Sequence, residues 1–339
     1  MRIKFLNFLA PILIINFFSM LTLASISYSL VFNQILKLIL ALGIIYIISN
    51  TVSQFWETTA IAFYLLALVL LGINLIQMHQ VNRWVSIAGI AVQFSEFAKI
   101  SLILMLAKFL SVNEMNIINF IKASLIIFIP TFLIFKQPNL GTSLIFLATG
   151  FGMVWMSGIN RKAIIAFFTS ILAALPILWS KMLPYQKSRI IAFLNPTADP
   201  QGSSYQTIQS IIAIGSGGLF GSSGLHNKLG FVPENHTDFL FSYFCERFGF
   251  IFSIILICVI FFSIMNLLNY EYVKDKFTKF FIAGFAILWL VESVMNIGMN
   301  LGLLPVTGIA LPCFSYGGSS LLSFCIMYGI IFNLLKNKC

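Results

Sequence analysis

Charge is scarce in this chain. Asp, Glu, Lys and Arg together make up 9% of its 339 residues and only ten residues are acidic, against 59% hydrophobic residues and a mean hydropathy of +0.98. Such a composition leaves too little polar surface to cover a water-soluble globule of this length, so that class is excluded. The net charge of +10 would suit a nucleic-acid binder, but the basic residues stand at the borders of apolar runs and never gather into a stripe. Membrane lipids with anionic headgroups account for them, and nucleic acid is not an expected partner.

Other absences narrow the chemistry. Cys245, Cys258, Cys313, Cys325 and Cys339 fall mostly within apolar windows without a CxxC pair, and His79, His226 and His236 lack metal-ligand spacing, so no zinc site is expected. The glycines of GSGGLFGSSG precede no Gly-Lys-Ser/Thr and do not match GxGxxG, which excludes a nucleotide loop and predicts a flexible turn. Arg2 and Lys4 flank the first apolar run as in a signal peptide, but no convincing small-residue cleavage site follows it, so it is expected to be a retained span. No internal repeat is visible.

What the chain does have is apolar length. A bilayer core of about 30 Å takes about 20 residues of helix. About ten such windows occur, near 9–28, 33–50, 58–76, 94–110, 117–135, 141–158, 163–180, 239–268, 280–300 and 316–335. They predict an all-α, polytopic integral membrane protein with one membrane domain over 1–339. Placing both termini in the cytoplasm puts Arg2, Lys4, Lys108, Arg161, Lys162, Lys274, Lys276, Lys279, Lys336 and Lys338 inside, and Arg83, Lys136, Lys181, Lys187, Arg189 and Lys228 outside, as the positive-inside bias favours. The large extracytoplasmic loop is then 181–238, between the seventh and eighth spans, with a short helix of its own. The segment 302–318, rich in proline and glycine, is expected to fold back at the outer rim and to be partly re-entrant.

Acids at a membrane border are expensive and point to function. PENHTDF supplies Glu234, His236, Thr237 and Asp238 just ahead of the eighth span, where Asp238 shares a helical face with Ser242 and Glu246. Asp238 or Thr237 as a helix cap and Asp238 as a proton acceptor are both consistent with that position. Glu96 and Lys99 stand one turn apart in the fourth span, either neutralising one another or offering Lys99 to a phosphate. Glu292, Asn296 and Asn300 form a second inward stripe, for which packing and hydrogen bonding are expected. Ser315, Tyr316, Gly317, Gly318 and Ser319 open the tenth span, where backbone N–H groups could meet phosphate oxygens or merely form a turn.

Several strings occur together in one order: NRWVSIAGIAVQFSE at 82–96, KQPNLGTS at 136–143, YQKSRIIAFLNPTADPQGSSYQ at 185–206, then IAIGSGG, FVPENHTDF, NIGMNLGLLPVTGIALP and SYGGSS. This series resembles the SEDS family, the proteins of shape, elongation, division and sporulation, over nearly the whole chain, and LPVTGIALP is similar to its rod-shape branch. The resemblance implies a peptidoglycan glycosyltransferase of the bacterial inner membrane that polymerises lipid II, with Asp238 as its catalytic acid residue. It also implies a class B penicillin-binding protein and the elongation machinery as partners. Substrate contacts are expected from Arg83, Glu96, Lys99, Arg189, Glu234, His236, Thr237 and Ser315 to Gly318. No cofactor is expected, and a divalent cation at the diphosphate is left open. The chain departs from the family pattern at Phe94 for Pro, Asn139 for Asp, Arg247 for a second Glu and Ala310 for Pro, and carries fewer residues between Leu225 and Phe231. Asn139 puts a charged role at that position in question, and Arg247 beside Glu246 could form an ion pair. The rival class is a carrier of lipid-linked precursor, marked by a polar path reaching both faces. A scaffold that only recruits a partner would leave the intramembrane acids unexplained.

Overall fold

The structure, a computed structural model, describes residues 5–77, 85–87, 90–159, 169, 176, 179–180, 182, 184–196, 204–222, 237–269 and 273–338. Eleven helices run through them: α1 (Phe5–Ala24), α2 (Tyr28–Ser49), α3 (Ser53–Gln77), α4 (Phe94–Val112), α5 (Ile117–Lys136), α6 (Leu140–Met156), α7 (Pro184–Leu194), α8 (Tyr205–Ser216), α9 (Leu240–Leu268), α10 (Lys276–Asn300) and α11 (Gly318–Lys338). Every predicted span has its helix except the seventh, 163–180, which lies largely outside the described residues. Among the described residues, six helices are long and apolar enough to cross a membrane. These are α2, α3, α5, α9, α10 and α11; α1 and α6 are shorter apolar helices, and α4 carries Glu96, Lys99 and Lys108.

The helices sort into a rim and a centre. Only 17% of the apolar window of α2 is buried, against 61% for α10 and 78% for α11. Phe32, Leu40, Tyr46 and Ile47 of α2 are exposed, whereas Phe285, Trp289, Phe324 and Tyr328 pack edge to face between α10 and α11. Exposed aliphatic and aromatic faces of this extent suit contact with lipid. α11 lies along α2: a Cβ on Gly329 would sit 2.8 Å from Ile48 Cβ, and Asn333 Nδ2 donates to the carbonyls of Ser49 and Thr51.

Three features depart from the expectation. First, the all-α reading has one exception, an antiparallel hairpin of β1 (Val85–Ile87) and β2 (Ile90–Val92) just before α4. Second, two helices rather than one, α7 and α8, occupy the long loop. Third, the glycine segment is a packed turn. α9 breaks at Gly249 (φ 81°), and the turn after α8 fills the break: Phe250 N donates to Gly218 O at 2.9 Å, Ile251 N to Leu219 O at 3.2 Å, and Ser222 N to Glu246 O at 2.9 Å. These bonds replace helical ones lost at the break. A Cβ on Gly249 would sit 2.3 Å from Gly221 N, and one on Gly221 2.1 Å from Arg247 O, so the two backbones meet only as glycine.

Candidate active site

The break at Gly249 sets off the first turns of α9, whose N-terminal turn carries Asp238. The N-cap position falls on Phe239, which has no capping side chain, so the alternative in which Asp238 or Thr237 is the N-cap residue is not what the structure shows. Asp238 is half-buried, and its main chain is gripped by α10. Asn296 Nδ2 donates to Asp238 O at 2.9 Å and to Ile309 O at 2.7 Å, and Asn300 Nδ2 donates to Asp238 O at 3.1 Å. Asn300 Oδ1 accepts from Ser242 N at 3.3 Å and from Ser242 Oγ, and Ser210 of α8 bonds both Ser242 Oγ at 2.5 Å and Asn300 O at 2.6 Å. Ser242 and Glu246 of the first expected stripe and all of the second are therefore buried, and the two stripes meet at Ser242 and Asn300. A connected buried network of this kind holds a unique geometry because each unmade bond would leave a desolvated polar group.

Against this frame lies the irregular stretch between α10 and α11. Its backbone is buried at Thr307, Ile309, Leu311, Cys313 and Phe314 and takes the left-handed conformation at Gly308 (φ 67°). A Cβ at Gly308 would lie 3.4 Å from Asp238 Oδ2, which puts this turn beside the carboxylate. Arg189 of α7, half-buried, donates to Val306 O at 3.1 Å, two residues from Gly308. Asp238, the 306–309 turn and Arg189 thus form one locality, able to hold a carboxylate and a cation around a polar substrate.

The other predicted residues have contacts of their own. Lys99 is 3% exposed and its ammonium sits between Glu96 Oε2 at 2.7 Å and Glu292 Oε1 at 2.5 Å, with Ser323 Oγ at 3.4 Å from Glu96 Oε2. Lys99 is thus buried between two carboxylates, which is the ion-pair alternative of the sequence reading with Glu292 as a second partner. Ser315 Oγ accepts from Leu311 N at 2.8 Å, closing its own turn. Tyr316 lies under Lys37 of α2, whose Nζ is 3.3 Å from the ring centroid, and Gly317 and Gly318 follow at the start of α11. Arg83, Glu234 and His236 lie outside the described residues. Among the described residues no three His, Cys, Asp or Glu gather as a metal-ligating group. Glu246 is buried and Arg247 exposed.

A family model for FtsW, RodA and SpoVE, described as "Cell cycle protein", matches residues 2–339. The chain belongs to this family, the SEDS proteins. It is 41% identical over 266 residues to the peptidoglycan glycosyltransferase MrdB of Helicobacter pylori, covering 75% of this chain and 68% of that protein. With MrdB of Escherichia coli K12 it shares 36% identity over 264 residues, 76% of this chain and 71% of that one. A solved chain from work on polymerization and crosslinking by a peptidoglycan synthase complex superposes with a TM-score of 0.86 at 26% identity, covering 100% of this chain and 99% of that one. The rod shape determining protein RodA of Thermus thermophilus shares the fold, with a TM-score of 0.75 at 24% identity over 99% of this chain and 98% of that one.

Seen on the SEDS fold, two departures acquire local explanations. Phe94 is the first residue of α4, where a proline would pre-set the helical φ, and Asn139 is the N-cap of α6, its Oδ1 accepting from Thr142 N at 3.3 Å. Sequence reasoning missed Gly308 as a neighbour of Asp238 and Lys37 as a neighbour of Tyr316. A lone lysine within the apolar run of α2 was the available signal for the second.

Proposed function

We propose that this SEDS protein is a peptidoglycan glycosyltransferase that polymerises lipid II at the outer face of the bacterial inner membrane during cell elongation, with both termini in the cytoplasm. The observation that carries the reading is the half-buried Asp238 carboxylate beside Gly308, on a main chain held by Asn296 and Asn300. Asp238 takes the proton from the GlcNAc 4-hydroxyl of the acceptor. That oxygen bonds to the anomeric carbon of the donor MurNAc as the bond to undecaprenyl diphosphate breaks, inverting the carbon. General-base help is worth about 10² to 10⁴ in rate, so positioning and stabilisation of the leaving diphosphate supply the rest. Arg189, with Arg83 and the N-terminus of α11, are the groups proposed for that charge. Thr237, Glu234 and His236 would line the acceptor's approach. A class B penicillin-binding protein is the proposed crosslinking partner, in keeping with the synthase complex whose chain superposes.

The test is polymerisation of lipid II by the reconstituted Asp238→Asn protein. A folded variant that makes glycan at the normal rate would overturn the reading. The carrier alternative gains no specific support, since the inward charges of α4 and α10 pair with each other.

A further inference from the structure

The end of the bundle remote from Asp238 contains a cavity with no part in the reaction. It has a volume of about 440 Å³ and lies among the C-terminus of α4, the turn that follows it, the C-terminus of α6 and the N-terminus of α10. Along α10 its rim residue Lys276 stands about 36 Å from Asn300, at about 1.5 Å per residue. Leu110, Met115, Met156 and Phe280 give it an apolar wall, and Lys276, Lys279 and Glu114 a charged rim.

The rim charges are not consumed inside the protein. Among the described residues the two ion pairs both belong to Lys99, so neither Lys276 nor Lys279 has a carboxylate at pairing distance. Asp275, their neighbour in sequence, caps α10, accepting from Thr278 N at 3.0 Å and Thr278 Oγ1 at 2.5 Å. The other polar side chains of the lining bond to their own helices: Ser111 Oγ to Lys108 O, Asn113 Nδ2 to Phe109 O and Ser157 Oγ to Val154 O. Two exposed ammonium groups therefore stand over an apolar wall.

We propose that this cavity seats one anionic phospholipid, its headgroup phosphate between Lys276 and Lys279 and its upper acyl chain against Leu110, Met156 and Phe280. A free phosphate would leave the apolar wall in water, and a zwitterionic lipid would leave the lysines without net countercharge. With Glu114 the rim sums to one positive charge, which matches a singly charged headgroup such as phosphatidylglycerol. The site is independent of the reaction at Asp238.

The experiment is native mass spectrometry of the full chain released from nanodiscs of mixed phosphatidylglycerol and phosphatidylcholine. The wild-type protein is expected to retain phosphatidylglycerol in preference. The double variant Lys276→Gln/Lys279→Gln should lose about 30-fold of that preference, at about 1 kcal/mol per lysine. Lys276→Arg/Lys279→Arg should keep it, as should Lys136→Gln at the other end of the bundle. Equal retention of both lipids by wild type, an unchanged preference in the double glutamine variant, a loss in the arginine pair or an equal loss in Lys136→Gln overturns the proposal. Displacement of the lipid by millimolar inorganic phosphate would identify a simple anion site and overturn it too.

Discussion

Glu292 and Asn296 stand one turn apart on α10, yet the acids they serve meet opposite fates. Around Glu292 the charges are sealed: Glu96, Lys99 and Glu292 are 9%, 3% and 1% exposed and bond to one another. Around Asn296 the acid is half-buried, and the contacts from α10 grip its main-chain carbonyl. The difference separates two uses of an intramembrane carboxylate. A sealed charge has to be neutralised by fixed partners, because desolvation costs several kcal/mol per ion. At Asp238 the fold fixes the main chain instead, through the bonds from Asn296 and Asn300, and under the proposed function the half-hydrated carboxylate is the group that meets the substrate.

The largest test of that contrast is at the two acids' centres. Asp238→Asn should lower the polymerisation rate by about 10² to 10⁴ with an unchanged melting temperature. Lys99→Met should do the reverse, leaving two buried carboxylates unpaired and costing about 3 to 5 kcal/mol of stability. Thermal melting in detergent and a single-turnover glycan assay on the same preparations separate the outcomes. If the Asp238 variant melts early, or the Lys99 variant melts normally, the division into a structural and a reacting cluster fails.

A smaller effect tests how the border acid is held. Gly249→Ala places a side chain in a left-handed position against the backbone of Gly221, so about 1 to 3 kcal/mol of stability should be lost. Because this break orients the turns of α9 next to Asp238, activity should fall with it. Asn296→Leu leaves the backbone fold in place but removes the bonds to Asp238 O and Ile309 O. It should lower kcat about tenfold with less change in KM, as expected when a reacting group is displaced by a fraction of an ångström. A KM effect alone would assign Asn296 to substrate binding.

Sequence patterning revealed the membrane helices because each apolar run long enough to span is itself the signal. It also placed Asp238, Ser242, Glu246, Glu292, Asn296 and Asn300 on inward faces, since a 3.6-residue period fixes which residues share a side. What it could not reveal were pairings between distant segments. The second partner of Lys99 lies 193 residues away, and the bonds joining Asp238 to Asn296 and Asn300 cross 58 and 62 residues. The glycine turn read as flexible because its glycines serve close backbone approach to α9, which has no periodic mark in sequence. The 85–92 hairpin is short, and its three-residue strands are too brief for a period of two to stand out.

The smallest effect is expected where the chain departs from its family. Asn139 caps α6 through Oδ1, and Asn and Asp are nearly equal in that position. An ionised Asp would gain about 0.3 to 1 kcal/mol from the helix dipole, but the site is 3% exposed and desolvation offsets that gain. Asn139→Asp should therefore shift stability by less than about 1 kcal/mol and leave glycan synthesis unchanged. This outcome would place the residue with the sealed cluster, as a part of the frame whose charge is dispensable. A several-fold rise in rate at constant stability would instead move it to the reacting side, and would mean that an acid here acts on the substrate beyond capping a helix.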